Sequence, residues 1–244
     1  MSNYQPKGIT FIIPILDDLL CVINLIKRIN FFIDKLNISY EILIVDDSVK
    51  LSGRIVLNKF SKIKYLAGSK RGLKEAINKG FVNRKYRFVV IMDSDLSHDP
   101  VYIYKNIYLL SRYSLISFSR FKTLSCDRRK LKISGPLKIY SYFLNRLSKF
   151  TVSKFITDYT CGFYLFDSLV INKLPLNGFY GDYSLYFLEN ILLKKVRFIE
   201  VPIFFYDRTI GKSKTGIRHL QIISKGLRYI KALILIKIRQ LSNY

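Results

Sequence analysis

Two aspartates separated by one residue follow directly after an apolar run in the sequence. The run spans Phe88 to Met92, and Asp93 and Asp95 come next, on either side of Ser94. An apolar run of this length is typical of a buried strand, so we expect both carboxylates where that strand ends. Carboxylate oxygens are hard ligands for Mg²⁺ or Mn²⁺, and such an ion usually completes its shell with water and phosphate oxygens. The pattern therefore favours a metal site that holds a nucleotide diphosphate.

The same segment also has a purely structural interpretation, as a polar turn before a helix. In that case Asp99 caps the helix and Pro100 occupies its first position. An Asp-x-Asp pattern alone favours this structural interpretation, so the metal hypothesis depends on the rest of the chain.

Acidic residues also follow two earlier strand-like segments. The apolar runs 9–14 and 41–45 lead into Asp17–Asp18 and Asp46–Asp47. Similar patterns predict strands at 63–66, 115–118, 160–166 and 196–206, and helices at 19–36, 53–60, 71–80, 100–112 and 182–195. Alternating strands and helices indicate an α/β fold with right-handed βαβ units on a mainly parallel sheet. Ligands of such sheets bind at the carboxyl ends of the strands, where these carboxylates are expected to meet.

The composition is strongly basic, with 41 Lys and Arg against 17 Asp and Glu, a formal net charge of +24. Such a balance indicates polyanionic partners: nucleic acid, an anionic membrane surface or phosphorylated substrates. Carboxylates at three strand ends would repel a nucleic-acid backbone, so we expect no nucleic-acid partner. The three cysteines show neither zinc-ligand spacing nor a disulfide pattern, which favours a reducing compartment. His98 and His219 have no ligand-like neighbours in the sequence.

The last part of the chain, 217–241, alternates apolar residues with cations at roughly helical spacing. The apolar residues are Ile222, Ile223, Leu227, Ile230, Leu233, Ile234 and Ile238, and the cations are Lys225, Arg228, Lys231, Lys237 and Arg239. This pattern predicts an amphipathic helix that lies on a membrane surface with its cations at the headgroups. The alternative is a terminal helix packed on the sheet. No run reaches the roughly 18–20 apolar residues of a membrane span.

Four motifs resemble those of the family 2 glycosyltransferases of the GT-A fold. Within that family they are most similar to the dolichol-phosphate mannosyltransferases and their polyprenyl-phosphate relatives. The motifs are V-D-D-S at 45–48, M-D-S-D-L-S-H-D-P at 92–100, D-Y-T-C-G-F at 158–163, and E-V-P-I at 200–203 with D-R-T-I-G-K-S-K at 207–214. They occur in the family's order, from about Ile9 to Gly216.

The resemblance implies a Rossmann-like GT-A catalytic domain at 1–216, followed by the amphipathic helix at 217–244. It also implies that a nucleotide sugar lies across the strand ends, with the nucleoside at Asp46 and the base near Asp17 or Asp18. The implied nucleotide-sugar residues are Pro14, Asp17, Asp18, Asp46, Asp93 and Ser94. The implied ligands of Mg²⁺ or Mn²⁺ are Asp93, Asp95 and Ser97.

The acceptor implied by the resemblance is a polyprenyl or dolichyl phosphate. A phosphate monoester has a second pKa of about 6, so it is anionic near neutral pH and needs no general base. The protein must instead bring together two phosphorylated substrates, a task for which arginine is suited. The implied lipid-phosphate residues are Arg120, Arg129, Arg208, Ser213 and Lys214. Asp95, Arg208 and Arg120 would carry the catalysis, at the cytoplasmic face of a membrane.

Two departures from the family pattern affect the expected specificity. The first loop, 14–18, reads P-I-L-D-D where the family usually has P-T-Y-N-E, and Tyr164 stands where an arginine usually follows G-F. GDP-mannose is the expected donor. UDP-glucose and a UDP-N-acetylhexosamine are the alternatives, and a catalytically inactive membrane-bound member of the family is a third.

Overall fold

The computed structural model describes residues 6–17, 19–48, 60–122, 136–171, 177–178, 181–205 and 219–242. Within these residues seven strands form one sheet. The strands are β1 (Gly8–Ile15), β2 (Ser39–Asp46), β3 (Ile63–Ala67), β4 (Phe88–Ile91), β5 (Leu115–Ser119), β6 (Tyr164–Asp167) and β7 (Phe198–Pro202).

The strand order across the sheet is β3-β2-β1-β4-β6-β5-β7. β1 pairs in parallel with β2 and β4, and β2 with β3. β6 runs antiparallel to both of its neighbours, β4 and β5, while β5 and β7 are parallel. The predicted mixed, mainly parallel sheet is therefore confirmed.

Helices cover both faces of the sheet. They are α1 (Leu19–Ile33), α2 (Leu73–Val82), α3 (Val101–Asn106), α4 (Pro136–Thr151), α5 (Tyr183–Leu193) and α6 (His219–Ser242). Alternate residues of β1 divide between the two cores: Phe11 and Ile13 pack in the cluster that includes α1, and Ile12 packs in the cluster that includes α2 and α5. The whole of β1 is buried, as expected for a parallel strand covered on both faces.

Two predicted elements differ from the observed ones, and a third is not tested. The predicted helix 100–112 is divided into α3 and a 3-10 helix, Ile107–Ser111. The predicted strand 160–166 begins only at Tyr164, because Gly162 has a φ of +76° and turns the chain before it. The predicted helix 53–60 lies almost wholly outside the described residues.

Helix α6 has apolar residues on two opposite sides. Tyr229, Ala232, Leu233 and Ile236 are buried in the core, and the helix contacts α4 and α5. Leu227, Ile234, Ile238 and Leu241 are exposed on the opposite side. The packed interpretation of this helix thus holds for its inner side, while membrane contact by its outer side stays a prediction. In the part of the chain that the structure describes, no helix is long and apolar enough to cross a membrane.

Close packing of α2 on β1 predicts that replacing the helical residue Gly80 by alanine lowers the stability of the protein, although alanine favours a helix. A Cβ at Gly80 would lie 2.5 Å from Ile12 Cγ2, on a stiff branched side chain. Alanine favours a helix over glycine by about 1 kcal/mol, but overpacking a core costs about 1–3 kcal/mol. We expect Gly80→Ala to lower the free energy of unfolding in urea by about 1 kcal/mol.

The matched control is Asn78→Ala on the same helix. The side chain of Asn78 is half-buried. The substitution should leave the stability unchanged or raise it slightly, because it gains helix propensity without a contact to Ile12. A Gly80→Ala protein more stable than the wild type would contradict the packing of α2 on β1.

Candidate active site

All seven strands have one end at the same edge of the sheet. β1, β2, β3, β4, β5 and β7 end there, and β6 begins there because it runs in the opposite direction. The segments at this edge therefore include 16–17, 47–48, 92–99, 120–122, 157–163 and 203–205. Four of the predicted motifs lie at this edge in whole or in part, with the Asp-x-Asp segment at the end of the central strand.

The Asp-x-Asp segment forms a tight turn in which both aspartates keep distinct roles. Asp95 Oδ1 accepts hydrogen bonds from Ser97 N at 3.1 Å and from Ser97 Oγ at 2.5 Å. Ser94 and Ser97 are buried, whereas the Asp93 side chain is 47% exposed. Asp95 thus orders the turn, and Asp93 offers a carboxylate to the edge.

Asp99 accounts for the structural interpretation of this segment. Its Oδ1 accepts a hydrogen bond from Val101 N at 3.0 Å at the start of α3, and its Oδ2 pairs with Arg28 Nη2 at 2.5 Å. Because Asp99 serves this end of α3, Asp93 and Asp95 are not needed there. The capping and metal interpretations therefore apply to different aspartates of one segment.

Two carboxylates and a hydroxyl are available to a cation at this turn. Among the described residues, no group of three or more His, Cys, Asp or Glu side chains could hold a metal ion. The two aspartates and the serine of the turn fit Mg²⁺ or Mn²⁺ better than an ion whose ligands all come from the protein. Mg²⁺ commonly takes one or two carboxylates and completes its shell with water and substrate phosphates.

His98 is a site residue for which the sequence offered no partner. It is fully buried beneath the turn, and its Nδ1 accepts a hydrogen bond from Asp93 N at 3.0 Å. Its ring stacks on Phe163 with centroids 4.8 Å apart, and its Nε2 lies 3.7 Å from Cys161 Sγ. Burial lowers the pKa of His98 to about 4, so the ring is neutral near pH 7 and carries its proton on Nε2. His98 therefore fixes the backbone at Asp93.

Arg120 lies at the end of β5 in a buried ion pair with Asp158. Its Nε and Nη2 donate to the two oxygens of Asp158 at 2.8 Å each, and Nη2 also donates to Thr160 Oγ1 at 2.6 Å. Burial alone would lower the pKa of Arg120, but the Asp158 charge and hydrogen bonds raise it above its ordinary value. Burial would likewise raise the pKa of Asp158, and Arg120 reverses this and lowers it. Both groups are thus charged at neutral pH.

Glu200 supports this pair from the edge strand β7. Its carboxylate accepts hydrogen bonds from Thr157 N at 2.9 Å, Thr157 Oγ1 at 2.9 Å and Asp158 N at 3.2 Å. Burial raises the pKa of Glu200 above its ordinary value. The glutamate of the E-V-P-I motif therefore holds the loop that carries Asp158.

Helix α4 supports the same loop from the other side. Asn145 Nδ2 donates to Thr160 Oγ1 at 2.9 Å, and its Oδ1 accepts from Tyr159 N at 2.5 Å. Ser141 Oγ lies 3.1 Å from Thr160 Oγ1. The guanidinium of Arg120 is consequently oriented by two aligned partners, one of which is itself held by α4.

The ends of β1 and β2 build the part of the edge where the resemblance predicts the nucleoside. Asp46 is 2% exposed, and its oxygens accept hydrogen bonds from Ser48 N at 2.8 Å and Tyr65 OH at 2.6 Å. Asp17, which is exposed and has a φ of +50°, donates its backbone N–H to Ser48 Oγ at 2.7 Å. Asp46 therefore shapes this loop, and Asp17 is the more accessible carboxylate. Pro14 is buried within β1 opposite Val45.

The remaining predicted residues are not placed at the site by the structure. Asp18, Arg129, Arg208, Ser213 and Lys214 lie outside the described residues, and their roles stay predictions. Tyr164, which stands at the family's arginine position, is fully buried and bonds Ser184 Oγ through its hydroxyl. This tyrosine is a core residue joining β6 to α5.

The Arg120–Asp158 pair predicts a stability effect with a defined pH dependence. Asp158→Asn removes one charge of a buried pair, which typically costs about 3–5 kcal/mol. The pKa of Asp158 is lowered in the folded protein, so its contribution is present above the unfolded value of 3.8 and is lost as pH falls through the folded value. Urea unfolding at several pH values measures both effects.

The matched control is Asp167→Asn, which removes the charge facing Arg87. Arg87 is about half exposed, whereas Asp167 is buried and accepts from Arg87 through both oxygens, so solvent screens only the arginine and the expected cost is smaller than that of Asp158→Asn. Equal losses in the two variants would contradict a special role for the Arg120–Asp158 pair.

Comparisons with known proteins agree with this geometry. The family model described as "Glycosyl transferase family 2" matches residues 12–173. Glucosyl-3-phosphoglycerate synthase from Mycobacterium tuberculosis, solved with Mn²⁺, UDP and phosphoglyceric acid, matches with a TM-score of 0.67 and 14% identity, over 95% of this chain and 78% of that one. Mannosyl-3-phosphoglycerate synthase from Rubrobacter xylanophilus matches with a TM-score of 0.68 and 13% identity, over 98% and 76%.

At such low identity the two structures show the shared fold, which confirms the predicted GT-A architecture. The family model carries the assignment further, because it spans well over half of the chain and includes the V-D-D and Asp-x-Asp motifs as well as D-Y-T-C-G-F. The chain belongs to glycosyl transferase family 2.

Proposed function

We propose that this protein transfers a sugar, with inversion, from a nucleotide sugar to a polyprenyl or dolichyl phosphate. The proposal is carried by one observation: two kinds of group lie at the same edge of the sheet. The Asp93–Asp95 turn supplies a pair of carboxylates there, and Arg120 supplies a cation. GDP-mannose is the proposed donor, with UDP-glucose or a UDP-N-acetylhexosamine as alternatives. The proposed location is the cytoplasmic face of a membrane, with the protein bound peripherally.

Asp93, Asp95 and Ser97 would hold Mg²⁺ or Mn²⁺. The bound ion would offset the negative charge that develops on the leaving nucleoside diphosphate. The solved relative with Mn²⁺ and UDP supports this part of the proposal. His98 and Ser97 contribute by fixing the positions of the two aspartates, because they bond the Asp93 backbone and the Asp95 carboxylate.

A phosphorylated acceptor fits the residues on the other side of the edge. Its phosphate oxygen is already anionic near pH 7, so the site needs a cation to attract it and no side chain to deprotonate it. Arg120 is one proposed cation, because its plane is held by Asp158 and Thr160; its side chain is 8% exposed and Asp158 offsets much of its charge, so further cations are required beside it. Arg208, Ser213 and Lys214 are proposed to add to the same phosphate site.

A small phosphorylated acceptor is a second candidate, because the solved structures similar to this chain include a glucosyl-3-phosphoglycerate synthase and a mannosyl-3-phosphoglycerate synthase. The outer side of α6 favours a lipid instead. Its exposed aliphatic residues lie beside the exposed cations Arg228, Lys231 and Lys237. Each such cation near an anionic leaflet contributes about 1 kcal/mol.

Substitution of the second aspartate tests the donor site. Asp95→Asn removes a charge from the proposed metal site, while its amide oxygen can still accept from Ser97, so we expect transfer to be abolished and Mn²⁺ affinity to fall. The measurements are transfer from a panel of nucleotide sugars to polyprenyl phosphate with Mn²⁺, and calorimetric titration of Mn²⁺ and nucleoside diphosphate.

Asp99→Asn is the control, because the asparagine oxygen can still accept from Val101 N at the start of α3, and only the partly exposed pair with Arg28 is lost. It should transfer sugar at a near wild-type rate. If Asp95→Asn does so as well with metal present, the assignment of this turn fails.

Substitution of the outer side of α6 tests membrane binding. Truncation would remove the buried residues of the same helix, so the informative change is Ile234→Ser with Ile238→Ser. We expect weaker sedimentation with anionic vesicles, and weaker binding of the wild type at high salt, because salt screens the cations. Leu193→Ser, at an exposed leucine of α5, is the matched control. Wild-type protein that ignores anionic vesicles at low salt would overturn the interfacial role of α6.

A further inference from the structure

Helix α4 exposes a face of aromatic residues to solvent. Tyr142 and Phe150 lie on one stripe with Arg146 between them, at intervals of four residues, and Phe143 lies beside that stripe. All four are exposed, and Phe150 is 89% exposed. Phe155, just beyond the helix, is exposed as well. Large contiguous apolar faces of this kind mark interaction surfaces.

The charge around this face has a single sign. The sequence from Pro136 to Phe155 contains Lys138, Arg146, Lys149 and Lys154 and no acidic residue, and α6 also contains none. The two helices contact each other. Two neighbouring helices thus combine exposed apolar side chains with cations only, which is complementary to an anionic lipid surface.

The opposite face of α4 belongs to the active site. Leu144, Asn145 and Ser148 are buried, and Asn145 bonds both Thr160 Oγ1 and the Tyr159 backbone. Thr160 in turn accepts a hydrogen bond from Arg120. Two hydrogen bonds therefore separate the aromatic helix from the cation proposed to bind the acceptor phosphate.

We propose that α4 is a second membrane-contact element, whose exposed aromatic face docks on anionic lipid while its inner face positions Arg120 through Asn145 and Thr160. The proposal rests on the proposed function, because it assigns a lipid surface to the acceptor side of the same site. Aromatic rings suit the headgroup region, where one part of the ring is in apolar surroundings and the other is hydrated.

Other occupants fit this face less well. A second copy in a two-fold arrangement would bring the same basic face against itself, which places like charges together. A nucleic acid would use the cations and the aromatic rings, but it would leave the exposed aliphatic stripe of α6 in water. Lipid satisfies the cations, the rings and the aliphatic side chains together.

The first test is binding to vesicles that contain no substrate. The variant Tyr142→Ser, Phe143→Ser, Phe150→Ser should bind phosphatidylcholine–phosphatidylglycerol vesicles about tenfold more weakly than the wild type, since interfacial binding scales with buried apolar area. Phe31→Ser, at an exposed phenylalanine of α1, should bind as the wild type does. Circular dichroism and thermal unfolding confirm that each variant is folded.

The second test separates docking from catalysis. With polyprenyl phosphate embedded in vesicles, the triple variant should lose transfer about in proportion to its lost binding, while a short-chain acceptor dispersed in detergent should react at the wild-type kcat. Asn145→Ala should bind vesicles normally and lose kcat with both forms of the acceptor.

Several outcomes would overturn the proposal. The first is vesicle binding by the triple variant that equals that of the wild type. The second is a wild-type dimer in sedimentation that the three substitutions dissociate while vesicle binding is unchanged. The third is RNA binding by the wild type in a filter assay that the three substitutions abolish while vesicle binding is unchanged. If vesicle binding falls but no polyprenyl phosphate accepts a sugar from any donor, α4 docking stands and the proposed acceptor is wrong.

Discussion

The buried ion pair of Arg120 and Asp158 is the contact on which the proposed acceptor side of the site depends. Two charges withdrawn from water cost several kcal/mol each, and only close geometry and further hydrogen bonds offset that cost. The protein supplies both. Two hydrogen bonds join Arg120 to the two oxygens of Asp158, and the backbone N–H groups of the surrounding loop donate to the carboxylates of Asp158 and Glu200. Because these requirements are strict, the segments that carry the pair have little freedom to move apart.

That constraint explains the use of an antiparallel strand in an otherwise parallel sheet. β5 ends at the edge where Arg120 lies, and a parallel β6 would place its preceding loop at the far edge. The reversed direction of β6 brings Asp158 and Thr160 to the same edge, next to the end of β4. β7 then places Glu200 on the outer side of the loop. The sheet topology thus serves the geometry of one pair of charges.

The sequence was sufficient to predict the strands that end in carboxylates, because buried parallel strands are continuous apolar runs with polar residues at their ends. It was insufficient for the contacts of His98 with Cys161 and of Asn145 with Thr160, which are 63 and 15 residues apart and carry no local signal. It also could not divide the apolar residues of α6 between its two sides. A helix with apolar residues around much of its circumference has no single apolar face, so only the packing of Tyr229 and Leu233 against the core shows which side is internal.

The exposed apolar side of α6 also bears on how the protein behaves in solution, where no lipid covers it. Leu227, Ile234, Ile238 and Leu241 would then face water on every molecule, and contact between two such stripes would bury apolar surface. The formal charge of +24 opposes this contact at low ionic strength. Salt shortens the range of that repulsion and leaves the apolar attraction largely intact. High salt would therefore promote precipitation of the protein, so a mild detergent at low salt suits its colloidal stability better.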